Sequence, residues 1–518
     1  MSKRGVVKPS RYVDSVRLMR VASAAREVGG VKQAAALMGT PNNRESLGET
    51  GLLLPQLAEA GPADLILVVE AESDELAAAA LRAMEAGLAA EARDAEARRR
   101  ATVRSLAAAR VREPALNLCL LSIPGEYVRF EALRALNAGL HCLIFSDNVP
   151  LEDEVYLKRT AAERGLLLMG PDCGTALING VGLGFCNVVR SGSVGIVGAA
   201  GTGIQEVLAA IDAAGGGVCH AIGTGGRDVK DEVGGLGMVQ GVRALARAKD
   251  IEVLLLVSKP PGGRALNRIL TALRECAKPT IACFLGADPA AVEAAGATAV
   301  ATLEEAGRRA AALDAGAEYR PPPSAASEVA ARVRKVRKAL APSQRFVRGL
   351  FTGGTLCAEA QQILVAGGLA VHSNVAAEGV RRLADPRHGE GHAVVDLGDD
   401  VFTRGRPHPM IDPAERNRRL LEEARDAAVA VILLDFVLGH GVHPDPAGAA
   451  LPTIAEARAL AARAGRHLPV VASITGTAGD PQDLGRQRAA LSDAGVWVAR
   501  SNAAASELAA AIAKGRGD

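Results

Sequence analysis

Two glycine-rich turns are the stretches of this chain best suited to holding a reacting group. The first is Gly201-Thr202-Gly203 within SGSVGIVGAAGTGIQEV, the second Gly353-Gly354-Thr355 within RGLFTGGTLCAEAQ. Each follows an apolar run of strand character and precedes a helical pattern. A glycine turn between strand and helix aims backbone N–H groups at one spot with no Cβ in the way. The helix N-terminus adds roughly half a positive charge, so the turn favours an anion, typically phosphate. Taken singly, either turn also reads as a tight connection that uses glycine for geometry alone. Their paired occurrence favours two helix ends facing one anion.

The pair belongs to a longer internal repeat. A second glycine-bearing loop follows in each copy, AIGTGGRDV (221–229) and VVDLGDDVF (394–402). A helix comes next, then a third strand ending in a polar turn, LLLVSKPPGG (254–263) and LLDFVLGHGVHPDP (433–446). Three elements in fixed order mark a duplicated unit. Gly225, Gly226 and Arg227 in the first copy are candidates for contacting a substrate or cofactor, with Asp228 and Lys230 beside them. Arg404, Arg406 and His408, in FTRGRPHPMIDP, suit a carboxylate or phosphate, which arginine grips bidentately. Lys259 ends a strand and adds a cation. Asp435, His440, His443 and Asp445 have the spacing of metal ligands. A structural polar turn or a substrate contact accounts for them better, and no metal is expected. His440, His443, Arg404 and Arg406 are the catalytic candidates. Cys173 and Cys357 lie near the loops, but neither has a histidine beside it in sequence, so neither is expected to be a nucleophile.

These residues need a scaffold, and the hydrophobic pattern supplies one. Runs such as DLILVVE (64–70), HCLIFS (141–146), VGIVG (194–198), EVLLLVS (252–258), AVILLDF (430–436) and PVVASIT (469–475) are apolar throughout rather than alternating. They read as strands covered on both faces, with helical stretches between them. The fold class is therefore α/β, with several Rossmann- or flavodoxin-like parallel-sheet domains and a small N-terminal α/β domain. The expected boundaries are a ferredoxin-like domain over 1–100, an incomplete Rossmann domain over 101–189, a first repeat domain over 190–320, a linker over 321–343 and a flavodoxin-type domain over 344–518. The stretch 74–112 reads as one long solvated helix.

Composition excludes several function classes. The formal net charge is +2 over 518 residues, with 23% charged and 49% hydrophobic. No global field draws the chain to nucleic acid or membrane. Aromatics are only 3%, so the core must be built from Val, Leu, Ile and Ala. The eight cysteines include no C-x-x-C pair, which argues against a zinc site or redox dithiol. No stretch reaches the ~20 apolar residues that span a bilayer, and a cytoplasmic location is expected.

The residues also carry a resemblance. The stretch 117–286 looks like the α subunit of succinyl-CoA synthetase. Its IPGEYVRFEALRALNAGLHCLIFSDNVP is similar to the latter half of that family's CoA-binding domain, and Gly170-Pro171-Asp172-Cys173-Gly174 to its G-P-N-C-P-G segment; Asp172 is thereby a candidate contact. The stretch 345–510 looks like the C-terminal domain of the β subunit. The front segment, with YVDSV and MGTP (38–41), resembles one branch, the FdrA proteins. Two departures stand out. The phosphorylated histidine of the family's G-H-A-G-A loop has no counterpart after CFLGADPAAVEAAGATAV, and the chain has neither an ATP-grasp domain nor a G-x-x-x-x-G-K-[ST] loop. The FdrA resemblance implies a subunit that works with two companion proteins as oxamate carbamoyltransferase in allantoin breakdown, converting oxalurate and phosphate to oxamate and carbamoyl phosphate. Phosphate or carbamoyl phosphate would be the ligand, with CoA as a further possibility. The alternatives are an acyl-CoA ligase borrowing an ATP-grasp partner, and a non-catalytic regulatory scaffold.

Overall fold

The computed structural model describes residues 2–13, 15–26, 28–97, 103–324, 329–404 and 406–515. The chain forms two compact units, residues 1–116 with 400–412, and residues 117–399 with 413–518.

In the first unit a three-stranded antiparallel sheet runs in the order Ser2–Lys8, Leu65–Ala71, Val31–Met38. Its middle strand explains why DLILVVE is so apolar. Leu65, Leu67 and Val69 face one core, which helices Ser15–Arg26 and Asp74–Ala97 cover. Ile66 and Val68 face a second core with Leu47, Leu52 and Leu57. Strand Ser2–Lys8 escaped the sequence reading because Lys3, Arg4 and Lys8 hide its pattern; Arg4 pairs with Asp74 and Lys8 with Glu85. The single helix expected over 74–112 is two, Asp74–Ala97 and Leu106–Arg112, the second capped by the Ser105 hydroxyl. The basic run Arg98-Arg99-Arg100 lies outside the described residues.

The second unit holds three sheets. A small parallel sheet joins Leu118–Leu121, His141–Ile144 and Leu168–Met169. A seven-stranded sheet contains, from one edge, Thr298–Ala299, Thr280–Phe284, Val253–Ser258, Val194–Ala199 and Val218–Gly223, all parallel. The antiparallel hairpin Thr175–Ile178/Val181–Gly184 extends it. The other seven-stranded sheet is parallel throughout, with Phe346–Phe351 between His392–Asp396 and Val429–Val437. In both large sheets the first strand of the repeat lies between the second and third. That is the flavodoxin-like strand order, with a switch point beside the first strand, where ligands bind at the carboxyl ends of such sheets. Both glycine turns stand at that place. The segment expected as a linker contains helix Ala330–Ala339, and residues 325–328 lie outside the described ones.

Candidate functional site

The two turns lead into helices Gly201–Ala213 and Gly354–Ala366, and neither N-cap residue, Ala200 or Gly353, caps its own helix through a side chain. The helix starts meet. The Thr355 backbone N–H donates to the Thr202 hydroxyl at 3.3 Å. A Cβ at Gly203 would come within 2.8 Å of Thr355 Cγ2 and 2.9 Å of Val257 Cγ1, and one at Gly353 within 2.9 Å of Thr202 Oγ1. Glycine is thus required for the two turns to approach. Gly201, Thr202, Gly203, Gly353, Gly354 and Thr355 form one locus.

The two halves of this locus differ in charge. In the second copy the buried Asp435 carboxylate accepts the N–H groups of Thr352 at 2.7 Å and Gly353 at 2.8 Å. Arg416 lies beside it, donating to the Asp435 backbone carbonyl at 2.6 Å. Burial pushes the Asp435 carboxyl up, while Arg416 and the turn's N–H groups pull it down. The corresponding strand position in the first copy is Val257, so that turn meets no carboxylate there. Lys259, from the first copy, reaches to the second copy's turn. A Cβ at Gly354 would lie 3.3 Å from Lys259 Nζ and 2.5 Å from Asp396 Oδ2. Asp396 ends strand His392–Asp396 and was missed in the sequence; its position at a strand's carboxyl end within the repeated second loop was the available signal.

Other candidates serve the scaffold. Arg227 Nε pairs with Glu154 at 2.8 Å, and its guanidinium donates to the Val149 carbonyl at 2.8 Å. Asp228 holds the buried Lys158 at 2.7 Å and accepts the N–H groups of Gly237 and Met238, fixing a helix start. Gly225, at φ +81°, packs on the Gly170-Pro171 loop, where a Cβ would strike the Pro171 carbonyl at 2.0 Å. Gly226 and Asp172 are exposed. Asp445 caps helix Pro446–Arg463, and the His443 Nδ1 accepts the Asp445 N–H at 3.0 Å. His440 is exposed and anchored through its backbone N–H to the Cys186 carbonyl at 2.8 Å. Asp435, His440, His443 and Asp445 do not converge as metal ligands among the described residues. Arg404, Arg406 and His408 fall in the first unit, where the Ser46 hydroxyl donates to the Arg404 carbonyl at 3.0 Å. Burial pushes the His408 imidazole down to about 4. Cys173 and Cys357 are buried, and burial pushes both thiols up, Cys173 to about 12, so neither supplies a thiolate at neutral pH.

One group does satisfy metal-ligand proximity, namely Cys219, His220 and Asp250. Its chemistry does not fit. His220 Nδ1 accepts the Asn179 N–H at 3.2 Å, which leaves the ring proton on Nε2, facing Asp250 at 3.1 Å. A ligating imidazole needs a free nitrogen aimed at the ion and its proton held on the other side.

Comparison with known proteins gives the chain its family. Across 502 residues, 97% of each chain, 41% of positions are identical to the uncharacterized protein YahF of Escherichia coli K12. The chain belongs to the FdrA family. Family models match it as CoA-ligase over 350–512, as CoA binding domain over 189–286, and as AllF, heavy metal-associated domain over 1–104. The CoA-binding match covers much of the first repeat copy. The α subunit 2 of an ADP-forming succinate–CoA ligase from Archaeoglobus fulgidus is 26% identical over 180 residues, 34% of this FdrA-family chain and 61% of that subunit. A solved ATP citrate lyase from Methanothrix soehngenii, bound to citrate and coenzyme A, aligns over 44% of this chain and 45% of its own, with 17% identity and a TM-score of 0.36. The heavy-metal description does not suit the residues here. Positions 1–104 contain neither cysteine nor histidine, the thiolate and imidazole ligands that heavy-metal ions most often take. Among the described residues, no helix is long and apolar enough to cross a membrane.

Proposed function

We propose that this FdrA-family chain is the anion-holding subunit of a carbamoyl- or acyl-transfer enzyme, most concretely an oxamate carbamoyltransferase acting in allantoin catabolism. The reaction joins phosphate to the carbamoyl group of oxalurate and releases oxamate. The observation that carries the reading is the junction of two helix N-termini at Thr202 and Thr355, neither capped by the side chain of its own N-cap residue. Backbone N–H groups and helix dipoles there favour a phosphate or a developing oxyanion. Transfer of a carbamoyl group to phosphate needs such positioning and no phosphorylated histidine. That agrees with the region around and after CFLGADPAAVEAAGATAV, where no histidine occurs between His220 and His372.

The ligase reading remains second, supported by the CoA-ligase match over 350–512 and by the succinate–CoA ligase relatives. In that case CoA is a substrate and an ATP-grasp partner supplies the nucleotide chemistry. The test is phosphate-dependent formation of carbamoyl phosphate from oxalurate, with the chain alone and with companion proteins encoded beside it. Activity only with partners is expected. CoA-dependent nucleotide hydrolysis without carbamoyl phosphate would move the assignment to the ligase.

A further inference from the structure

Lys259 and Asp396 face Gly354 from opposite halves of the repeat, and the fold leaves both with capacity to spare. Asp396 is 5% exposed, and its Oδ1 accepts the Gly398 N–H at 2.9 Å. Among the described residues its Oδ2, the atom closest to Gly354, accepts no hydrogen bond, and Lys259 Nζ makes neither a hydrogen bond nor an ion pair. Asp396 is buried and Lys259 half-buried, and held apart at the same glycine they forgo the ion pair that would offset the carboxylate's lost water. A ligand seated over Gly354 would satisfy both.

We propose that Lys259 holds the anionic group of the ligand at the Gly354 helix end and that Asp396 moves the proton of the transfer reaction. The proposal rests on the carbamoyl-transfer reading. Hydrogen phosphate brings one O–H. As a phosphate oxygen bonds to the carbamoyl carbon of oxalurate, the Asp396 carboxylate takes that proton. As the bond from this carbon to the oxamate nitrogen breaks, Asp396 returns the proton to the nitrogen. Oxamate leaves with that nitrogen as a neutral amide, carbamoyl phosphate remains, and Asp396 is again a carboxylate, so atoms and charge balance. Lys259 steadies the phosphate oxygens throughout. Burial raises the Asp396 carboxyl to about 6, against the pull of Lys259, with Asp399 and Asp435 adding to the rise and the Cys357 thiol nearby. A relay group works best with its pKa near the working pH.

The experiment uses the full chain with its companion proteins and two variants, Asp396→Asn and Lys259→Met, each checked for intact thermal unfolding. Asp396→Asn should lower kcat by about 10²–10⁴-fold and abolish the acidic limb of the pH profile, with phosphate affinity at pH near 8 several-fold higher, because a neutral amide replaces the carboxylate. Lys259→Met should weaken phosphate binding about tenfold. Activity of Asp396→Asn within about threefold of wild type would overturn the relay and leave the carbamoyl-transfer reading standing. Should the wild-type complex make no carbamoyl phosphate, that reading fails, and sulfate titration decides the site on its own. Sulfate keeps its charge while Asp396 titrates. Its affinity should rise several-fold from about pH 7.5 to about pH 5.5 in the wild type, stay flatter in Asp396→Asn, and be weaker throughout in Lys259→Met. Equal sulfate affinity in all three proteins would overturn the ligand site.

Discussion

Glu206 and Glu359 each hold the opposite half of the repeat. Glu206, on the first copy's glycine-turn helix, accepts the Asn502 N–H at 3.0 Å, at the start of the second copy's last helix. Glu359, at the matching position of the second copy, accepts the Leu303 N–H at 2.7 Å, at the start of the first copy's last helix. The exchange fixes both glycine-turn helices in one frame, so that Thr202 and Thr355 meet. Each carboxylate also sits at a helix N-terminus, where negative charge is favoured. Burial opposes that charge in both, and Glu206 adds its own repulsion at Glu359.

Glu359 carries the first prediction. Burial, Glu206 and Glu304 push its carboxyl up to about 8, against the hydrogen bonds from Asn502 and Leu303. A folded-state pKa above the unfolded one means that the native state holds the extra proton. The associated stability is fully present below the unfolded value and is lost as pH rises through about 8. Thermal unfolding of the wild type should therefore fall more steeply between mildly acidic and alkaline pH than that of Glu359→Gln, by on the order of 2–4 °C. Parallel pH profiles would reject the assignment.

The contact between turns predicts which glycines matter. Gly203→Val would drive side-chain atoms into Thr355 and Val257, and Gly354→Ala would place its Cβ against Asp396. Both should weaken phosphate binding by about tenfold or more, since the N–H groups can no longer close on one anion. Cys173→Ser, at a thiol whose neighbours are the Thr175 and Gly223 carbonyls, should leave the affinity near wild type. Isothermal titration of the three folded variants checks the ranking, and equal affinities would sink the paired site.

Much of this arrangement was legible in the residues, for a physical reason. Strands buried on both faces lose polar alternation, so VGIVG and AVILLDF announce a parallel sheet, and a glycine turn between such a strand and a helix announces a switch-point loop. The role of Arg227 was not legible. Its partner Glu154 is far off in sequence, and nothing in GTGGRDV distinguishes an arginine that pins a helix from one that grips a substrate. Asp396 was hidden in the opposite sense, since one carboxylate in VVDLGDD looks like any other until Lys259 arrives from the other copy. The grouping of Arg404, Arg406 and His408 with the first unit is likewise a tertiary fact, absent from local pattern.

Asp435 tests the scaffold beneath the site. Its carboxylate accepts the N–H groups of Thr352 and Gly353, with the buried Arg416 beside it. Asp435→Ala would strand those donors and leave Arg416 without a counter-charge, a loss of roughly 3–5 kcal/mol. Asp435→Asn, which keeps one acceptor, should lose less. Urea unfolding of both variants measures the difference, and an Ala variant as stable as wild type would show that the turn does not depend on this carboxylate.

The last prediction concerns covalent chemistry. Succinate–CoA ligase relatives match about a third of this chain, and the resemblance sets their phosphohistidine loop after CFLGADPAAVEAAGATAV, a region with no histidine between His220 and His372; the stretch between Phe284 and Thr298 leads into it. Here that segment is a turn at Gly286, with φ +76°, followed by the short helix Pro289–Glu293, capped by Asp288. It contains no histidine, and its acidic groups, Asp288 and Glu293, are poor hosts for an incoming phosphoryl group. His220, the histidine of the same sheet, donates to Asp250 and accepts from Asn179, away from the glycine turns at the sheet's other end. Incubation with radiolabelled ATP or GTP, with or without CoA, should therefore leave no acid-labile, base-stable label on this chain. Label retained on the chain and removed by acid would require a phosphohistidine elsewhere, and His440, which follows the Asp435 strand and is exposed, would be the first to replace with Asn. Phosphate in this protein is expected to arrive as a free anion and leave as carbamoyl phosphate, held by N–H groups at Thr202 and Gly354 rather than by a covalent bond to the chain.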